Sequence, residues 1–126
     1  MSVLTQPPTM GDVLKYELNP NYTREAVTLL AGTTYPVGAV LGRITASGKY
    51  KLSTSSGSDG AQTAAAVLLY ATDATAADAT GIVVLRGPAI ISKAALVFDA
   101  SVDDAAKTAA KHAQLTALDI IPRDPA

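Results

Sequence analysis

An α+β domain, built of short bent antiparallel strands with β-barrel-like character, follows from three features of the sequence. Apolar runs of strand length recur between Arg24 and Phe98, parted by glycines and small polar loops. Only Ser101 to Leu118 carries a helical period, so one C-terminal helix is expected. Residues 1–22 hold Pro7, Pro8 and Pro20 and precede the first long apolar run, which marks them as an extended N-terminal arm. The body is then 23–126.

The arm contains one segment able to form a strand. Leu14 to Leu18, LKYEL, alternates apolar and charged residues before Asn19-Pro20-Asn21 turns the chain. Asn21-Tyr22-Thr23 fits a glycosylation sequon but reads as part of that turn. REAVTLL, from Arg24 to Leu30, is the next strand, and it stops at Gly32. Val37 to Thr45 and Lys49 to Ser53 pair as a hairpin around Ser47-Gly48. Within it, Gly38, Gly42 and Gly48 punctuate strand material, which predicts bends or a close approach of backbones. STSSGSDG at Ser53 to Gly60 is a loop. Thr63 to Ala71 is continuously apolar, as a strand buried on both faces would be. DATAADAT, Asp73 to Thr80, is a second loop. Gly81 to Arg86 is a strand broken by Gly87-Pro88, and Ile90 to Phe98 is another whose middle, SKAAL, tolerates helix.

The helix is expected to be capped by Ser101, with Asp103 and Asp104 at its positive end and Lys111 and His112 late. Val102, Ala106, Ala109, Ala113 and Ala117 form a stripe of small residues suited to close packing on a sheet or a second subunit. Aromatics are 5% of the chain and tryptophan is absent. Small side chains bury little apolar area each, so association of subunits is a natural source of further stability. The alanine face and Val37 to Ile44 are the candidate contacts.

Composition narrows the function classes. The chain has no cysteine and one histidine, which excludes thiolate chemistry and any intrachain zinc site of two imidazoles. A net charge of −1 gives no footprint for nucleic acid or an anionic membrane. The first twenty residues show no basic stretch followed by an apolar run, and no run approaches membrane-spanning length. Synthesis in the cytosol is expected.

His112 has no serine, aspartate or glutamate around it in a recognisable motif, and it reads as a solvated or dipole-favoured residue. Asp59, Asp73 and Asp78 lack the converging oxygens and spacing of a calcium loop. Lys49 follows Ser47-Gly48 at a hairpin tip, as the modified lysine of lipoyl and biotinyl carrier domains does. Its neighbours Gly48 and Tyr50 differ from theirs, and Lys51 would compete. No catalytic, cofactor or metal residues are assigned. A binding or assembly role is expected instead of an enzyme, with a carrier domain or a small glycan-binding module as alternatives. So few aromatics argue against a sugar-stacking platform.

Three segments in series, TREAVTLLAGTTYPVGAVLGRITASGKYKLS, DGAQTAAAVLLYATDATA and GIVVLRGPAIISKAALVF, resemble the head decoration proteins of tailed bacteriophages, the lambda protein D type. The likeness runs from about Lys15 to Arg123, and its specificity lies in the order of the segments. It implies a homotrimer on the outer surface of the phage head, made in the host bacterial cytoplasm. Seated at local threefold positions, it would clamp the major capsid protein of the expanded shell against internal DNA pressure. It also implies that the arm orders on the capsid by adding a strand to the capsid protein's sheet. Carried onto this chain, that role falls on Asp12, Val13, Leu14, Lys15, Tyr16, Glu17, Leu18, Asn19, Pro20, Asn21 and Tyr22. The chain departs from the lambda protein in lacking its tryptophans and in ending IIPRDPA.

Overall fold

Alternation along the strands explains the architecture of the computed structural model, which describes residues 10–124. Two short elements lead: α1 (Met10–Val13) and β1 (Leu14–Glu17). A second single turn, α2 (Pro20–Thr23), runs directly into β2 (Arg24–Leu29). The central strands are β3 (Thr34–Tyr35), β4 (Val40–Arg43), β5 (Tyr50–Leu52), β6 (Ala64–Leu68), β7 (Thr72–Asp73) and β8 (Ala79–Val84). Then come β9 (Ala89–Ser92), a 3-10 turn (Lys93–Ala95), α3 (Ala105–Thr116) and β10 (Ile120–Arg123).

Five strands close into a barrel in the order β2-β5-β4-β6-β8. Its register sets consecutive residues on opposite faces. Val40, Val67 and Val84 pair in one row, facing outward, while Leu41 pairs with Ala66 and Leu68 with Val83 on the inner face. The inner residues join Leu29, Tyr35 and Tyr50 in the barrel core. The outer row forms a second core with Val13, Ile91, Leu115 and Ile120. Both faces of β6 are therefore covered, which is why its sequence is apolar without a break.

Glycines permit the closure at two points. Gly42 has the Ala61 carbonyl against the place a methyl group would occupy, and the β4–β6 register shifts between Leu41 and Gly42. Gly38, at φ +87°, takes a conformation that L side chains rarely adopt, and the Ala95 carbonyl fills the space beside it. That approach lets Val97 N donate to the Gly38 carbonyl and ties the barrel to the segment after β9.

A separate three-stranded sheet, β1-β9-β10, covers the outer row. β1 is antiparallel to β9, with Leu14 opposite Ile91 and Tyr16 opposite Ile90. β10 is parallel to β9, with Ile121 opposite Ile90 and Arg123 opposite Ser92. The expected strand from Ile90 to Phe98 is thus a short strand followed by a 3-10 turn. β10 was not expected, because Pro122 marks a chain end in the sequence; on an edge strand its missing donor costs little.

The helix is shorter than its sequence signal and starts later. Asp104, not Ser101, is its cap: the Asp104 side chain accepts from Lys107 N at 2.8 Å. Ser101 instead donates to Asp99 Oδ2 at 2.6 Å and accepts from Ser55 N. Lys111 and Leu115 face inward, while Ala106, Ala109, Ala113 and Ala117 are exposed. The small-residue stripe therefore points away from the sheet. Within Val37 to Ile44, Val37, Ala39, Val40 and Leu41 are buried within the chain, while Arg43 is exposed and Ile44 half-buried.

Candidate functional site

Residues 10–22, expected as a loose arm, lie on the body of the same chain, whereas Met1 to Thr9 fall outside the described residues. Val13 is fully buried in the outer core. Leu14 is half-buried beside it, and Lys15 Nζ reaches back to the Gly11 carbonyl at 2.9 Å. Apolar alternation in LKYEL suits an edge strand as well as a free one, so the sequence alone does not separate the two.

Glu17 fastens this segment. Its carboxylate accepts from Arg24 Nε at 3.0 Å, Arg24 Nη2 at 2.6 Å and Thr23 Oγ1 at 2.6 Å. The Glu17 side chain is 9% exposed and Thr23 is fully buried. Burial pushes the Glu17 carboxyl up, but the hydrogen bonds from Arg24 and Thr23, with the Arg24 charge, outweigh it and hold the group below its usual range. Asn19 turns the chain by accepting from Asn21 N at 2.9 Å, Pro20 opens α2, and Leu18 N donates to the Pro88 carbonyl. Arg86 lies 5.5 Å over the Tyr22 ring, donates to the Tyr22 carbonyl and pairs with Glu25 at 3.3 Å.

What remains outside is informative. Asp12, Tyr16, Leu18, Asn21 and Tyr22 are exposed, and Tyr16, Leu18 and Tyr22 are large apolar groups at 50%, 58% and 52% exposure. Tyr70, also exposed, interacts with Arg24. Three of the five tyrosines thus stand at the surface, around β1 and the start of β2. Tyrosine and arginine are the side chains that most often anchor protein interfaces. Among the described residues β1 is also the edge of an open sheet, with no strand paired on its other side.

The other candidates are dispersed. Lys49 Nζ is 2.6 Å from Asp78, and Lys51 is 2.7 Å from Asp59. Asp73 accepts from Thr75 N and Oγ1. No group of three metal-ligating side chains occurs among the described residues. His112 is half-buried against Phe98, ring centres 5.9 Å apart, and its Nε2 is buried without a hydrogen-bond partner. Burial, then the charge of Lys93, pushes its pKa down, while Asp124 opposes them. Lys111, read from sequence as a late helix residue near the dipole's negative end, is buried. Its Nζ donates to Ser53 Oγ at 2.9 Å, the Thr54 carbonyl at 2.6 Å and the Gln62 carbonyl. It pins the polar loop before β6 to the helix, and nothing in the sequence signals that.

A closed barrel carrying an open-edged sheet, with Tyr16 exposed on it and Tyr22 beside it, presents a surface suited to contact with another protein. The family model of bacteriophage lambda head decoration protein D matches residues 3–120 of the 126, and the chain belongs to that family. Its role is capsid decoration, as a structural component of the phage head. Among curated proteins, no match to the chain is found.

Proposed function

We propose that the protein is a trimeric cement that binds the major capsid protein at threefold positions of the expanded head and holds the shell against DNA pressure. Residues Asp12 to Tyr22 form the gripping segment. The observation that carries this is the exposure of Tyr16, Leu18 and Tyr22 on and beside the edge strand of the one open sheet that carries them. A capsid strand laid against the free side of β1 would extend the sheet by backbone hydrogen bonds, with alternate side chains fixing register.

Because β1 is already ordered, such a contact avoids much of the ordering cost of a free arm, about 2–5 kcal/mol. Each added hydrogen bond contributes about 0.5–1.5 kcal/mol, so one subunit grips only weakly. Three subunits joined together bind far more firmly, since the second and third contacts form at high effective concentration. The exposed alanine face of α3 is left free for subunit contact.

The buried Val13 and Glu17 make deletion of the whole segment a poor test, because it would damage the fold. A Tyr16→Ser, Leu18→Ser, Tyr22→Ser variant is expected to lose binding to expanded heads by about 100-fold or more, as anchor residues do. Its thermal unfolding should stay close to the parent's, and light scattering should give both a mass of three chains. Unchanged head binding would remove the gripping segment from this role, and a monomer mass would remove the trimer.

A further inference from the structure

The outward face of β1-β9-β10 holds a groove that shares Lys15 and Tyr16 with the gripping segment and runs from them across β9 to the end of β10. It measures about 490 Å³, is open to solvent, and is lined by Lys15, Tyr16, Ile90, Ser92, Arg123 and Asp124. Register explains its make-up. Tyr16, Ile90 and Ile121 lie opposite one another across the three strands, and Ser92 pairs with Arg123 in the next row. Ile90 and Ile121 belong to neither core, although each is half-buried. An apolar row therefore runs beside the Ser92–Arg123 pair, and Lys15, at the register shift of β1, lines the groove from the other edge.

The two cations are not spent on local carboxylates. Lys15 has its ammonium on a backbone carbonyl, and Arg123 forms no ion pair among the described residues. Among the described residues Asp124 is the one acid lining the groove, and its charge also acts on His112. Lys15 and Arg123 against Asp124 leave the groove one positive charge in a chain whose formal net charge is −1. Local charge thus runs against the global charge.

We infer that this groove receives an extended segment of the shell protein bearing a carboxylate beside an apolar side chain. The carboxylate sits between Lys15 and Arg123, where a guanidinium offers a fork of donors matched to it. The apolar neighbour covers Tyr16 and Ile90. The inference rests on the decoration reading for its partner and adds the chemistry that partner must present. An enclosed small-molecule site would bury most of its ligand, which this shallow groove does not do.

Two experiments on the full chain test it with expanded, undecorated heads. In the first, Arg123→Glu should weaken binding at least tenfold at about 50 mM salt, and Arg123→Lys should keep most of it, because a like charge opposite an acid repels. Arg123→Glu binding like the parent at low salt would overturn the inference. In the second, unaltered protein on heads is treated with a carbodiimide, which joins an amine directly to a neighbouring carboxylate. A Lys15 crosslink to an aspartate or glutamate of the shell protein is expected, and Lys15 left uncoupled while other lysines couple would overturn it even if the Arg123 variant failed to fold. Binding by parent and Arg123→Glu alike, lost in the Tyr16, Leu18, Tyr22 variant, would sink the groove alone. Parent protein that binds no heads would sink the decoration reading with it.

Discussion

The barrel and the three-stranded sheet are made of similar short strands, yet they are finished in opposite ways. In the barrel each strand has a neighbour on both sides, and consecutive residues such as Val67 and Leu68 enter different cores. In the sheet, among the described residues, only β9 has two neighbours, while β1 and β10 are edges. Closure removes the unpaired backbone through which strands associate, and an open edge retains it. Under the proposed function, stability and contact are thus housed apart. Four of the five tyrosines follow the division: Tyr35 and Tyr50 are buried in the barrel core and Tyr16 and Tyr22 are exposed on and after β1, while Tyr70, just past barrel strand β6, is exposed.

The sharpest challenge to this division is Gly42→Ala in β4. A methyl group there collides with the Ala61 backbone, so a loss of about 4 kcal/mol or more is expected, among the largest single-site effects. Urea unfolding measures it, and a loss under about 1 kcal/mol would show that the barrel closes less tightly than its register implies.

Lys111→Met comes next, since it removes the donor shared by Ser53, Thr54 and Gln62 while keeping the bulk. Leaving buried acceptors unpaired costs about 1–3 kcal/mol each before relaxation, so about 2–4 kcal/mol overall is expected. Hydrogen exchange should quicken in the loop Ser53 to Gln62 as well. A stable variant with an unchanged loop would mean that water replaces the ammonium without cost.

The smallest effect belongs to the open sheet. Glu17→Gln weakens the clamp to Arg24 and should cost about 1–3 kcal/mol. Amides of β1 should exchange faster and those of β4 and β6 should not. The sign with pH follows from a folded carboxyl held below its ordinary 4.5: the stabilisation is whole above that pH and is lost as pH falls through the folded value. At neutral pH the first strand therefore stays docked, and acid loosens it in the parent but not in the variant. Equal acid sensitivity in both would place the titration elsewhere.

Most of the barrel was legible because its strands are long enough to show alternation and its loops, STSSGSDG among them, hold no apolar residue. β10 was hidden by Pro122, whose usual meaning is a break. The helix cap was misplaced because Ser101 and Asp104 have equal claims by type, and only Asp99 and Ser55 nearby decide that Ser101 is engaged elsewhere. The alanine stripe suits packing on a sheet or on a second subunit, and within the chain it is the side holding Lys111 that is buried. A lysine is read as solvent-facing unless its oxygen partners are known, and those lie 49 to 58 residues away. Residues 10–22 were marked by LKYEL, but docking depends on Glu17 meeting Arg24 across a turn, a distance that alternation does not encode. The groove joins Lys15 to Arg123, the two ends of the fold, and only pairing through β9 brings them together.

That shared partner has a mechanical consequence. A swelling shell that tugged lengthwise on β1 would strain its rungs to β9 in shear, several at once, where a peeling pull would break them singly. Since β9 is also bonded to β10, the tension would pass through the middle strand to the segment beyond the helix. The barrel, joined to this ladder through α2 and through Val97 at Gly38, would take up only what the ladder passes on.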